Sequence, residues 1–226
     1  MSLSVLAVNT LAATAIMLSG QYMKDHLSIT FPTFKQEVTG KFGSDKAVTV
    51  TSLEETLIRL ASEPVLIQLN EINKFFDTNV QYATDQAIFN QSDYWATPGE
   101  LIGHSRGDCE DHAIAKYVAL LHLGIDSTKL RLIYVKAKIG RSRVTQAHMV
   151  LGYYETPSSD PLVLDSLVSQ ISPGSQRPDL MPVFSFNEAG IWQPGKQSKV
   201  SQSTSRLSKW RDVIARMEKE GIKKAS

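Results

Sequence analysis

Cysteine is almost absent from this chain: one residue in 226, so no disulfide can form within it. A structural role for that lone thiol is thereby less favoured than a chemical one. An excess of charge of either sign is missing too. Twenty-four basic side chains face 23 acidic ones, a net charge of +1, which argues against a dedicated nucleic-acid binder with a strongly basic face. No apolar run reaches the roughly 20 residues of a membrane span. Residues 1–20 carry no charged side chain, but their apolar core, Leu6 to Leu18, is too short. The segment 1–22 reads either as a signal-like stretch lacking a basic start and a clear small-residue cleavage site, or as a helix packed on the domain. No internal repeat is visible. What the chain does have is 42% apolar residues, enough for one real core over residues 23–226.

Helical periods come first and strand periods follow. Residues 27–50 read as irregular or extended, punctuated by Pro32, Gly40 and Gly43. Ser52 with Glu55 has the form of a capping box ahead of Leu53, Leu57, Ile58 and Leu60, with Pro64 as the stop. Ser62 can cap a second helix that turns Leu66, Leu69, Ile72, Phe75 and Phe76 inward. Polar residues 77–93 suggest a loop or broken helix. Thr97-Pro98-Gly99-Glu100 is a capping box with proline at the first helical position, predicting a short helix to Gly103. A further helix begins at Cys109 and ends at Gly124. Then Leu130 to Ala137, a strand opening at His148, Leu162 to Asp165 and Pro182 to Glu188 alternate toward β structure, with a polar turn from Lys138 to Thr145. Residues 166–180 read as loop, and Gln193 to Ser205 has no apolar period. Leu207, Trp210, Ile214 and Met217 mark an amphipathic helix within 205–222. A helical part over 52–124 and a sheet part over 130–192 make the fold class α+β.

The chain is organised around Gly107-Asp108-Cys109-Glu110-Asp111-His112. Gly107 serves as the turn, Asp108 as N-cap and Cys109 as the first helical residue. Unpaired backbone N–H groups at that end stabilise a thiolate. His148 and Asp165 lie downstream on separate strands, so Cys109, His148 and Asp165 can act as nucleophile, base and orienting acid. His112, three residues on from the sulfur, is the rival base. A surface histidine and a turn aspartate are the duller alternatives for His148 and Asp165. Asp108, Glu110 and Asp111 suit the helix dipole, each by roughly 0.3–1 kcal/mol. Yet three carboxylates beside the sulfur oppose its ionisation, and a bound cation with a taste for oxygen, such as Ca²⁺, would relieve them. Trp95 either walls a cleft or packs under the helix. Lys136, Lys138, Arg141 and Arg143 form a basic run, either a steering patch for an acidic partner or a solvated hairpin tip. The Cys109 backbone N–H is one candidate oxyanion donor.

The Gly107-to-His112 block, with Trp95-Ala-Thr-Pro-Gly-Glu-Leu101, Gln146-Ala-His148-Met-Val150 and Val163-Leu-Asp165-Ser166, resembles the bacterial transglutaminase-like cysteine proteinases, the LapG-type periplasmic proteases. The resemblance implies a papain-like or transglutaminase-like fold with N-terminal helices packed on an antiparallel sheet and the catalytic cysteine at a helix N-terminus. It implies the triad Cys109, His148 and Asp165, and Ca²⁺ held by Asp108, Glu110 and Asp111. A backbone carbonyl near Tyr134 could add to that set. It further implies a periplasmic endopeptidase that cuts near the N-terminus of a large surface adhesin, releases biofilm cells and is restrained by the periplasmic domain of an inner-membrane cyclic-di-GMP receptor. Two other readings stay open on the residues alone: a transglutaminase or amidase with the same triad, and a non-catalytic binding module on the same scaffold.

Overall fold

The computed structural model describes residues 27–138, 140, 144–194, 199–200 and 207–224. The segment 1–22, Arg141, Arg143 and much of the stretch 193–205 lie outside the described residues. Among the described residues no helix is long and apolar enough to cross a membrane.

Helices come first. Strand β1 (Leu27–Ile29) leads into α1 (Phe31–Phe42), and a 3-10 turn connects it to α2 (Ala47–Leu60). The expectation of irregular chain over 27–50 is therefore wrong. Pro32 sits in the first turn of α1, where no intrahelical N–H is needed. Phe31, Phe34 and Val38 bury one face, and at Gly40 an added Cβ would meet nothing within 4 Å. The real breaker is Gly43, with φ 107°. Because α2 starts at Ala47, Ser52 is interior to a helix rather than its cap, and the helical part begins well before residue 52. Leu53, Leu57 and Leu60 are buried, but Ile58 points out.

Helix α3 (Val65–Asn79) starts after Pro64, which takes the N-cap position expected of Ser62 and makes no side-chain cap. Leu69, Ile72, Phe75 and Phe76 are buried as expected, whereas Leu66 is exposed. The polar stretch then holds β2 (Gln81–Tyr82) and α4 (Asp85–Ile88), followed by α5 (Pro98–His104), β3 (Arg106–Gly107) and α6 (Cys109–His122). The predicted box at α5 is present: Thr97 Oγ1 accepts from the Glu100 N–H at 3.0 Å, and Glu100 accepts from the Thr97 N–H at 3.1 Å. Left-handed Ser105, not Gly103, ends the turn. Gly124, with φ 86°, stops the chain after α6.

Six strands then form one antiparallel sheet in the order β7-β6-β5-β4-β8-β9. They are β4 (Leu130–Lys138), β5 (Thr145–Tyr153), β6 (Leu162–Leu164), β7 (Ser172–Pro173), β8 (Leu180–Asn187) and β9 (Gly190–Trp192). His148 lies within β5, not at its start, opposite Val135 of β4. Lys136 and Lys138 are exposed, as a solvated strand end requires.

Helix α6 packs against β5 and is buried on nearly every side. Tyr117 and Leu120 are fully buried in the core that also takes Leu132, Met149, Leu151, Leu164 and Phe186 from the sheet. Truncating such an aromatic to alanine costs roughly 3–5 kcal/mol. Helix α7 (Ser208–Lys219) covers this core with Trp210, Val213 and Met217. The chain then turns at Gly221, and β10 (Ile222–Lys224) pairs with β1, bringing the two ends of the described chain together.

Candidate active site

Cys109 is the first residue of α6, and Asp108 is its N-cap. A capping box closes the start, with the Asp108 N–H donating to Asp111 Oδ2 at 3.2 Å. Asp111 Oδ1 accepts from the Ala96 N–H at 2.7 Å. One buried carboxylate thus fixes the cysteine turn and ties it to the Trp95-Ala96-Thr97 segment. Trp95 stacks on Phe186, 5.8 Å between centroids, so it packs rather than walls a cleft. Arg216 of α7 clamps the segment from outside through the Trp95 carbonyl at 2.5 Å and through Glu100. Gly107 is required by space: a Cβ there would lie 2.2 Å from Leu101 Cδ1 and 2.9 Å from Asp111 Oδ2.

The parallel pairing of β2 with β3, Tyr82 opposite Gly107, brings a second stretch of chain beside the sulfur. Asp85 follows it. An oxygen each from Asp85, Asp108 and Asp111 lie within 4.8 Å of one another, as do those of Asp85, Asp93 and Glu110. Asp85 and Asp93 were not foreseen. They stand 24 and 16 residues before Cys109 in a polar stretch without periodicity, and only the β2–β3 register reveals them. Asp85 Oδ1 and Asp108 Oδ1 are buried with no hydrogen-bond partner. Burial first, then the neighbouring carboxylates, pushes Asp108 up to about 9. Asp111 rises to about 8 by burial and the Glu110 charge, against the pull of the Ala96 N–H. Asp85 rises to about 6, again chiefly by burial.

The Cys109 thiol is nearly buried and donates to Glu110 Oε2 at 3.0 Å. Burial, then the charge and hydrogen bond of Glu110, push its pKa up, opposed by the Met149 backbone N–H. That N–H belongs to the residue after His148, so sulfur and strand β5 meet there. The thiol is hydrogen-bonded to Glu110 and to the Tyr82 hydroxyl, and not to the imidazole.

His148 and Asp165 do come together. His148 Nε2 lies 2.7 Å from Asp165 Oδ1, with both side chains buried. Asp165 Oδ1 also accepts from the Leu167 N–H at 3.0 Å, and Oδ2 from Arg177 Nη2 at 2.7 Å. Burial raises the Asp165 pKa, but the imidazole, this N–H and the guanidinium outweigh it and hold the carboxyl down at about 2. An ionised carboxylate only accepts, so Nε2 carries the proton and a neutral ring offers Nδ1 as its free base. The rival His112 is buried beside Lys116, with neither ring nitrogen hydrogen-bonded. Burial and the Lys116 charge lower its pKa to about 3, so it is a neutral packing residue.

A thiol at the start of a buried helix, laid against an antiparallel sheet that carries a buried histidine–carboxylate pair, defines the transglutaminase-like α+β scaffold of a cysteine protease. The chain belongs to the bacterial transglutaminase-like cysteine proteinase family, whose family model matches residues 43–180. It is similar to solved structures of Legionella pneumophila LapG. The EGTA-treated form is 38% identical with a TM-score of 0.73, and the calcium-bound form 39% identical with a TM-score of 0.71. Each match covers 84% of this chain and 99% of the LapG chain. No curated protein gives a significant match.

Proposed function

We propose that this cysteine protease is a calcium-dependent endopeptidase in which Cys109, His148 and Asp165 form the triad. The observation that carries the reading is the pairing of His148 Nε2 with Asp165 Oδ1 at 2.7 Å, beside a strand whose next backbone N–H points at the Cys109 sulfur. Asp165 holds the ring in the tautomer that leaves Nδ1 unprotonated. Nδ1 takes the thiol proton as sulfur attacks the peptide carbonyl, and returns it to the departing amine as the C–N bond breaks. The resulting thioester is hydrolysed by water activated at the same nitrogen. The Cys109 backbone N–H, free at the helix start, is a donor for the oxyanion.

The acidic cluster fits a hard cation. Its donors are carboxylate oxygens, and two of them are buried without partners; the soft Cys109 sulfur is no ligand for Ca²⁺. Asp85, Asp108 and Glu110 are the residues that would hold the ion, with Asp93 at the edge. Asp111 belongs to the same cluster, but both its oxygens already accept backbone N–H groups. Bound calcium supplies positive charge that offsets the carboxylates and favours the thiolate. The calcium-bound form of the similar LapG supports this ion. By the same family likeness, the substrate is a small-residue site near the N-terminus of a large surface adhesin. The enzyme then works in the periplasm under restraint by a cyclic-di-GMP receptor, and its cleavage releases biofilm cells.

The test is cleavage of an adhesin N-terminal fragment by the purified chain, with products weighed by mass spectrometry. Two shorter peptides whose sum is the substrate plus water are expected. They should be absent with Cys109→Ala or a calcium chelator. An isopeptide cross-link instead would identify an acyl transferase, and full activity of Cys109→Ala would leave a binding module.

A further inference from the structure

Side chains of the sheet alternate between two cores. Leu132, Met149, Leu151 and Leu164 face the helices, whereas Ile133, Val135, Ala137, Val150 and Val163 form a separate cluster. Over that second cluster lies a cavity of about 390 Å³, a size that suits small-molecule sites. Its floor includes Ile133, Val150 and Val163, and two arginines line it, Arg131 and Arg177.

Both arginines are more than nine-tenths buried: Arg131 is 5% exposed and Arg177 8%. Each has a buried nitrogen without a partner, Nε of Arg131 and Nη1 of Arg177. Arg177 has carboxylates on its other side, Asp165 and Asp179, each with an oxygen at 2.7 Å. Arg131 has no carboxylate partner among the described residues. Its guanidinium lies 4.4 Å from the Tyr154 ring centroid and 4.3 Å from that of Trp192. Ring faces hold a cation in place, and the Tyr154 hydroxyl takes one hydrogen bond from the guanidinium, but Nε is left without an acceptor. A buried cation without a counter-charge is unfavourable, and an anion that reaches it is bound strongly for that reason. The one carboxylate at the rim, Asp160, accepts from the Ser175 N–H and Oγ, so it is turned to its own loop.

We infer that this cavity is a binding site for a carboxylate carried on an apolar body. The carboxylate accepts from Arg131 Nε and Arg177 Nη1, and the apolar part lies over Ile133, Val150 and Val163. A fatty-acid-like small molecule and the C-terminus of a peptide ending in an apolar residue share this chemistry.

The test is calorimetric titration of the whole chain with hexanoate and hexanol, and with a short peptide ending in leucine as its free acid and its amide. The site predicts that each acid binds at least about tenfold tighter than its uncharged partner, and the tighter acid identifies the source. Arg131→Met should remove that preference while leaving cleavage by Cys109 in place. Leu180→Trp, which fills the cavity from its wall, should abolish binding of both acids and keeps the test decisive if Arg131→Met does not fold. Equal binding of acid and alcohol, no binding of either acid, or an unchanged acid preference in both variants would overturn the inference.

Discussion

Two groups of carboxylates meet the same chain and end in opposite states. Asp165 has an imidazole, a guanidinium and a backbone N–H around it and is held down at about 2. Asp108, Asp111 and Asp85 have one another and Glu110, with backbone N–H groups only on Asp111 and Asp85, and are pushed up to about 9, 8 and 6. Burial acts in the same direction on all four. The difference is the imidazole and the guanidinium on Asp165, so the histidine side of the site is electrostatically complete and the cysteine side is not. In the proposed triad the base is preset and the nucleophile is conditional on a cation.

Removing the nucleophile or the acid that orients the base should have the largest effects. Cys109→Ala should lower the cleavage rate by a factor on the order of 10⁴ or more, read by product formation under single-turnover conditions. Asp165→Asn keeps the shape but permits the wrong ring tautomer, and should cost on the order of 10³–10⁴ in kcat. Next comes the conditional side. Calcium at a hundred times its Kd should stabilise the protein by about 2.7 kcal/mol, read as a rise in Tm. Asp85→Asn should lose most of that rise although it lies far from Cys109 in sequence. Magnesium, which resists dehydration, should replace calcium poorly.

The smallest effects are in pH, and their signs differ between the two groups. The Asp165 pKa is depressed from 3.8, so its contribution, about 2 kcal/mol, is present above pH 4 and lost as pH falls toward 2. The metal-free cluster is raised from 3.8, so it favours the fold at low pH and that favour is lost as pH rises through about 8–9. Chelated protein should therefore show Tm falling from pH 5 to 9, and calcium should flatten the slope. An Asp165→Asn variant should keep that alkaline slope and lose only the acid limb.

Local chemistry was legible in the sequence, and register was not. The Thr97–Glu100 box, the Asp108 cap, the helix starting at Cys109 and the strands around it follow from spacings of three or four residues and from period-two runs. The α1 helix was missed because Pro32 and Gly40 read as breakers; one occupies a first turn and the other an open face. Asp85 was missed because its link to the sulfur is a two-residue parallel pairing. The β1–β10 clasp joins two three-residue strands from the two ends of the described chain, which no periodicity can announce. Arg177, which braces Asp165, sits in a stretch read only as loop.

Because the chain has one thiol, alkylation reports on Cys109 alone. The most direct test is the rate of iodoacetamide labelling against pH, with calcium and with chelator. Calcium should move the apparent thiol pKa down and speed labelling at pH 7 by at least about tenfold. Fast labelling in chelator, unchanged by calcium, would contradict a nucleophile whose ionisation waits on the ion.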